Sequence, residues 1–434
     1  MTKYYIESLG CAKNLVDSEV FAAIFERAGL ECAPLPEEAD LILVNTCSFL
    51  EAALLELDLV LSDLAALKNQ GEFDKLIVSG CVMQRGRDDF EKHFPEVDAW
   101  IGLKDFAALE RWLGLEISSQ TSRLPIYHGF HRYLRVSDGC SNHCSFCAIP
   151  SIRGEVRSQS IDELVQEAQA IATDGDTKYR ELIVIAQDTA NYGIDLYGRK
   201  ALPELLERLV ELPQYSWIRV MYLHPDHFDL DWLYLWKKHP KLLPYFELPI
   251  QHSEDRILRA MNRKKGRLQL EELFQTIKRE IPHAALRTTL MSGFPGETRA
   301  EAIALKRFIH NIPFDHLGVF AYSRETGTPA FHLEGQVSAR TVQRRQDTLL
   351  MDYFSIREKL LENLVGKNVE VIVETHGDDE DTWMGRAWFQ APDVDGITHI
   401  EGKNLQPGRI YRADITDAIG PDLFATVNNQ EDES

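Results

Sequence analysis

Long apolar runs are missing from this chain. No stretch approaches the roughly 18 uninterrupted apolar residues that a membrane helix requires, and the amino terminus, MTKYYIESLGCAK, lacks the apolar segment of a secretory leader. A cytoplasmic protein with no membrane partner is expected. Positive charge is scarce as well: 47 lysines and arginines stand against 68 aspartates and glutamates, a net charge of −21 at pH 7. That balance argues against a phosphate backbone as the main partner, so nucleic acid is set aside in favour of a basic protein or a small ligand. Cysteines are few. The chain has 7, an odd number in no disulfide-like arrangement, which fits a reducing compartment. Only Cys144 and Cys147 form a CxxC, and no second CxxC or HxxxH completes the paired ligands of a structural zinc. No internal repeat is present beyond an alternation of strand and helix. With 434 residues there is room for two or three domains, each with its own core.

What the chain does contain is the loop DGCSNHCSFCAIPSIRG, with Cys140, Cys144 and Cys147 spaced C-x3-C-x2-C. A cubane iron–sulfur cluster has four irons and usually takes four cysteines. Three thiolates from one loop leave one iron open to a small molecule, and open coordination implies chemistry rather than scaffolding. The loop resembles that of the radical S-adenosylmethionine (radical SAM) superfamily, where the amino and carboxylate groups of S-adenosylmethionine (SAM) chelate the open iron. An aromatic residue commonly precedes the last cysteine there, as Phe146 does here.

Up to about Leu115 the pattern alternates strands and helices, and each expected strand runs into a cysteine. Tyr4 to Ile6 leads to Gly10 and Cys11, Leu41 to Val44 leads to Cys47, and Leu76 to Val78 leads to Gly80 and Cys81. Leu15, Val20, Phe21, Ile24, Phe25 and Ala28 mark an amphipathic helix that stops at Gly29. Such alternation predicts a parallel sheet. Ligands gather outside the carboxyl ends of parallel strands, so Cys11, Cys47 and Cys81 can converge as a second three-thiolate site. Cys32 lacks that placement and reads as a structural thiol.

From Tyr133 to Tyr322 six strand–helix units follow, with strands at Tyr133 to Val136, Leu182 to Ala186, Trp217 to Tyr222, Tyr245 to Ile250, Ala285 to Leu290 and Leu317 to Ala321. A capping box at Ser160 to Glu163 starts the first helix. These units predict a partial (βα)6 barrel of TIM type, whose site gathers at the strand C-termini. Gln187, Asp188, His224, Gln251, His252 and the segment Ser292 to Thr298 stand there. Neither His224 nor His252 is expected to act as a base. Gly293 and Gly296 would let a ligand approach the backbone closely.

Beyond Gly366 five short strands separated by turn residues predict a small antiparallel barrel of OB-like size. It carries 15 acidic against 5 basic residues, a net of −10, the wrong sign for a nucleic-acid surface. The tail NNQEDES reads as a solvated end.

In this order the segments are similar, over nearly the whole chain, to the methylthiotransferase family of radical SAM enzymes. The matching domains are an amino-terminal methylthiotransferase domain (1–117), a radical SAM core (126–362) and a TRAM domain (363–434). The strings SNHCSFCAIPSIRGEVRS, IAQDTANYG, MYLHP and LPIQH resemble the branch that modifies an aspartate of ribosomal protein S twelve, rather than the branch that modifies an adenosine of tRNA. The acidic terminal barrel agrees with that choice. The resemblance implies two 4Fe-4S clusters. Cys140, Cys144 and Cys147 would hold the one that binds and reductively cleaves SAM, and Cys11, Cys47 and Cys81 the one that carries the sulfur to be delivered. It also implies an electron donor, a sulfur donor and a second SAM as methyl source. Phe146, Gln187, Gly293 and Gly296 stand where SAM contacts are expected, and Arg153 and Lys13 are candidates to pair with the substrate carboxylate. The competing readings are a tRNA methylthiotransferase with the same clusters and a non-catalytic iron–sulfur docking protein.

Overall fold

The structure is a computed structural model that describes residues 2–118, 122–127, 129–174 and 177–428; all of the acidic tail after Asn428 lies outside these. By its contacts the chain divides into two compact units. One comprises Met1–His128, Asp138–Arg157 and Glu325–Thr328, the other Gly129–Ser137, Ser158–Arg324 and Pro329–Ser434. The cysteine loop around Cys140 to Cys147 therefore belongs, by contact, with the amino-terminal sheet.

In the first unit the elements are β1 (Lys3–Ser8), α1 (Ala12–Arg27), β2 (Glu31–Cys32), β3 (Leu41–Thr46), α2 (Glu51–Gln70), β4 (Lys75–Gly80) and β5 (Ala99–Trp100). The strands run parallel in the order β2-β1-β3-β4-β5, as the alternation predicts. β3 is buried at every residue, because helices cover both faces of the sheet. Ile42, Val44, Leu76 and Val78 pack with Leu57, Leu61 and Leu64 of α2. On the other face Leu41, Leu43 and Ile77 pack with Val20, Phe21, Ile24 and Phe25 of α1. Phe25 is fully buried, and its truncation to alanine would cost about 3–5 kcal/mol.

The second unit holds β6 (His131–Arg135), β7 (Glu181–Ile185), β8 (Trp217–Val220), β9 (Tyr245–Glu247), β10 (Ala285–Ser292) and β11 (His316–Ala321). They form two parallel sheets, β8-β7-β6 and β9-β10-β11. Backbone hydrogen bonds from Ile218 N to Lys241 O (2.7 Å) and from Leu243 N to Ile218 O (2.9 Å) join them into the expected partial barrel. β8 and β9 end earlier than the expected Tyr222 and Ile250. Tyr222 has a positive φ of 60° and donates its amide to the Glu247 carboxylate instead of a neighbouring strand, and Pro249 has no N–H to offer a ladder. The capping box at Ser160 and Glu163 is present at the start of α4 (Ile161–Ala170), which follows the short α3 (Ile149–Arg153) of the first unit.

The terminal strands β12 (Asn368–His376), β13 (Thr382–Ala387), β14 (Thr398–Glu401), β15 (Ile410–Ile419) and β16 (Asp422–Thr426) close a barrel in the order β12-β13-β14-β16-β15. All pairs are antiparallel except β14 with β16. This barrel covers the amino-terminal ends of the parallel strands. Arg386 of β13 donates to Glu181 at the start of β7 (2.8 Å) and to Glu374 (2.8 Å), while Arg219 of β8 donates to the other Glu181 oxygen (2.7 Å). Asp395, between β13 and β14, pairs with Arg287 and accepts from the Tyr245 hydroxyl (2.7 Å). Burial alone would raise the Glu181 carboxyl, but Arg219 and Arg386 outweigh it and bring its pKa to about 2. The opposite, carboxyl-terminal edge of the strands is left for chemistry.

Candidate active site

Cys11, Cys47 and Cys81 each follow a strand of the amino-terminal sheet, and the register sets them at one edge. Ser8 pairs with Asn45 and Asn45 with Ser79, so β1, β3 and β4 finish level. The turns that follow are tight. A Cβ at Gly10 (φ 102°) would lie 2.8 Å from the Cys47 Cβ, and one at Gly80 (φ 100°) would lie 2.5 Å from the Thr46 backbone. Only glycine fits either place. Asn14, 1% exposed, laces the loops together by donating from Nδ2 to the Leu9 carbonyl (3.0 Å) and the Thr46 carbonyl (2.7 Å). Thr46 Oγ1 then donates to the Ser79 carbonyl (2.7 Å) and accepts from the Val82 amide (3.1 Å). The three cysteine turns thus share one buried hydrogen-bond network.

In the loop Cys140 to Cys147, the Cys140 amide donates to the Gly154 carbonyl (3.0 Å) and the Cys147 amide to the Cys144 carbonyl (3.0 Å). Cys144 is buried; Cys140, Phe146 and Cys147 are half-buried. Ala148, directly after Cys147, packs with Ile152 and Cys81 in one buried apolar cluster. The segment that follows the cysteine loop therefore packs against the turn of Cys81 within one unit. Arg153, at the end of α3, reaches across this junction with its side chain 2% exposed. Nη1 donates to Asp138 (3.1 Å), and Nη2 to Asn14 Oδ1 (2.6 Å), Asp17 (3.2 Å) and Cys81 Sγ (3.7 Å). Lys13 is buried in the first turn of α1.

The amino-terminal donor set fits an iron–sulfur cluster. Burial pushes the Cys81 thiol up to about 12, Cys47 and Cys11 add to the rise, and Arg153 opposes it. Burial raises Cys47 too, with Cys11 acting in the same sense and the Phe49 amide against it. Thiols that oppose one another's ionisation give up their protons to a strongly cationic, thiophilic centre. Cys32 lies apart, exposed on the edge strand β2, with its thiol donating to the Ala33 carbonyl (3.6 Å).

In the second unit the carboxyl-terminal strand edge holds Gln187 and Asp188 after β7, His224 after β8, Gln251 and His252 beyond β9 and Ser292 to Thr298 at the end of β10. His252 is fully buried and accepts the Glu254 amide at Nδ1 (3.1 Å). His224 accepts the Asp226 amide (3.2 Å), and burial, with Arg263 next, holds its pKa well below the usual imidazole range. His227, absent from the sequence reading, bonds through Nδ1 to Asp188 (2.5 Å) and stacks on His224 with ring centroids 4.9 Å apart. Together Asp188, His224 and His227 bring their ligand-type atoms within 4.8 Å of one another. A Cβ at Gly293 would strike Val342 of the helix Ala339–Glu362, whereas one at Gly296 would meet only Arg256 at 3.6 Å. Thr298 caps the helix Arg299–Asn311, and Glu297 folds back to accept the Gly293 amide.

A parallel sheet ending in three cysteines, a C-x3-C-x2-C loop, six parallel barrel strands and a closed terminal barrel define a radical SAM enzyme of the methylthiotransferase type. Three family profiles match the chain: the uncharacterized protein family UPF0004 over residues 3–102, the Radical SAM superfamily over 134–309 and the TRAM domain over 365–427. A ribosomal protein uS12 methylthiotransferase RimO from Clostridioides difficile is 37% identical over 98% of this chain and 99% of its own length. Its namesakes from Thermotoga maritima and Aquifex aeolicus are 39% identical over 92% of this chain (94% of theirs) and 38% over 97% (96% of theirs). This chain belongs to the uS12 methylthiotransferase family. The fold is shared with the radical S-adenosylmethionine methyltransferase TsrM of Kitasatospora setae, with a TM-score of 0.55 at 11% identity over 82% of this chain and 89% of that one. Membership brings an iron–sulfur cluster and SAM as cofactors. Among the described residues no helix is long and apolar enough to cross a membrane.

Proposed function

We propose that this protein adds a methylthio group to the β-carbon of an aspartate in ribosomal protein S twelve, using two 4Fe-4S clusters and SAM in the cytoplasm. Cys140, Cys144 and Cys147 hold one cluster; Cys11, Cys47 and Cys81 hold the other. The observation that carries this reading is the packing of Ala148 and Arg153, which follow the loop of Cys140 to Cys147, against Cys81. A cluster with SAM supplies radical chemistry, and the β-carbon of an aspartate, neither acidic nor electrophilic, needs it. The protein's own residues supply proximity. Asn14, Thr46 and the two glycines fix the amino-terminal cysteines, and Ala148 and Ile152 keep water from the junction. Arg153 and Lys13 are the candidate contacts for the substrate carboxylate, Arg153 pairing also with Asp17 and Asp138. Phe146, Gln187, Gly293 and Gly296 serve SAM, with Gly296 the less crowded glycine, where a Cβ would meet only the Arg256 side chain at 3.6 Å.

The reaction also needs an electron donor and a sulfur donor, both separate from the chain. The working domains are 1–117, 126–362 and 363–434, the last offering its acidic face to a basic ribosomal protein. The test uses anaerobically reconstituted full-length protein with reductant, sulfide, SAM and purified ribosomal protein S twelve. The expected product carries one methylthio group on one aspartate by mass spectrometry. Replacing Cys140, Cys144 and Cys147 by alanine should abolish SAM cleavage, while replacing Cys11, Cys47 and Cys81 should spare cleavage and stop sulfur insertion. Cleavage surviving in the first variant, or methylthiolation in the second, would overturn the assignment.

A further inference from the structure

Arg153 lies six residues beyond Cys147 in the sequence, yet its guanidinium ends among the groups that surround Cys81. We propose that Arg153 is a positioning residue that sets the reduction potential of the cluster held by Cys11, Cys47 and Cys81, reaching that cluster from the helix behind the other cysteine loop. The proposal rests on the two-cluster reading and goes beyond it. Its geometry is specific. Nη1 is held by Asp138, itself anchored by Lys104 (2.6 Å), and Nη2 is shared between Asn14, Asp17 and Cys81 Sγ. With the side chain only 2% exposed, water does not screen the charge. Asp138 holds one end of the guanidinium and Asn14 with Asp17 the other, so the arm over the sulfur is fixed in direction.

Reduction places one more negative charge on a cluster and its thiolates. A buried cation and an N–H aimed at a ligating sulfur both favour that state, since net charge and hydrogen bonds to sulfur set cluster potentials. A lysine could keep the charge, but a single ammonium cannot span Asp138 and Cys81 as the planar fork does. If Arg153 served only to tie two loops together, its removal would alter how well iron is retained and leave the potential of the retained cluster where it was.

The experiment uses full-length protein with Cys140, Cys144 and Cys147 replaced by alanine, so that only the amino-terminal cluster contributes. Iron is counted after anaerobic reconstitution, and the midpoint potential is read by electron paramagnetic resonance across a redox titration. The parent should hold about four irons, and absence of iron would defeat the two-cluster reading itself. In Arg153→Gln the reduction equilibrium should shift about tenfold toward the oxidised form, about 59 mV for a one-electron couple, with Arg153→Lys between the two. Retained iron with an unchanged potential in Arg153→Gln overturns the proposal and leaves the two-cluster reading intact. Should that variant lose its iron, Arg153→Lys decides alone: a lowered potential supports the role and an unchanged one overturns it.

Discussion

Asn14→Ala should loosen the amino-terminal cysteine site more than any other single change of a residue that is not itself a ligand. The side chain is 1% exposed and makes four hydrogen bonds, donating to the carbonyls of Leu9 and Thr46 and accepting from Arg153 and, at 3.8 Å, from the Cys81 thiol. The two bonds to the carbonyls are worth about 1 kcal/mol each and the one from Arg153 about 2. Truncation also leaves the two carbonyls buried without this donor, so a local loss of about 3–5 kcal/mol is expected. The Leu9 backbone amide reports it, since it donates to the carbonyl of Asn45 (2.9 Å), whose side chain donates to the Asn14 carbonyl (2.8 Å). Native-state hydrogen exchange on peptides covering Leu9 to Ser18 and Val44 to Phe49 measures the local opening. At about 1.4 kcal/mol per tenfold, exchange should quicken by about two to four orders of magnitude, while peptides of β14 and β16 stay unchanged. A change under threefold would refute the claim that Asn14 holds the three turns together.

Acid should destabilise the second unit before it reaches the carboxylates. Burial, with Arg386 next, brings His131 to a pKa of about 3, so between 6.5 and about 3 the unfolded chain binds a proton that the folded chain refuses. Stability falls as pH falls, by about 1.4 kcal/mol per pH unit for this group, and Glu181 adds the same sign between 4.5 and about 2. Urea midpoints at pH 7, 6 and 5 should decline in the parent and less steeply in His131→Asn, where His224 and His316, also lowered, still add the same sign; a flat parent profile would count against it. Cys32→Ala, on an exposed edge strand, should change stability by under about 0.5 kcal/mol and leave the iron content unaltered; loss of iron would make Cys32 a ligand. Neutralising the exposed turn Asp378, Asp379, Glu380 and Asp381 between β12 and β13 should slow association with ribosomal protein S twelve at low salt and matter less at high salt. Stopped-flow rates across a salt series read this, and equal rates at low salt would show the turn to be a solvated surface only.

The strand ends that carry Cys11, Cys47 and Cys81 were legible in the sequence because each is an apolar run leading into a cysteine. The strand count of both barrels was legible from the same apolar runs. Partnerships across the chain were not. Arg153 meets Asp17 across 136 residues, and nothing in the string SIRG distinguishes a guanidinium that binds substrate from one that bridges two loops. Asp188 stood at an expected strand end, but its partner His227 lies 39 residues on, inside a turn without periodicity. The seating of the terminal barrel on the parallel strands was hidden for the same reason. Arg386 and Glu181 are 205 residues apart, and a buried ion pair leaves no hydrophobic pattern to read. The premature end of β9 had a visible sign in Pro249, outweighed by the apolar residues around it, whereas that of β8 at Tyr222 had none.

Ribosomal protein S twelve from cells with this gene, compared by intact-mass and fragment-ion spectrometry with the same protein from cells lacking it, should differ by one methylthio group in place of a hydrogen, localised to a single aspartate. An identical mass in both, with a methylthio group instead appearing on a tRNA adenosine only when the gene is present, would contradict it.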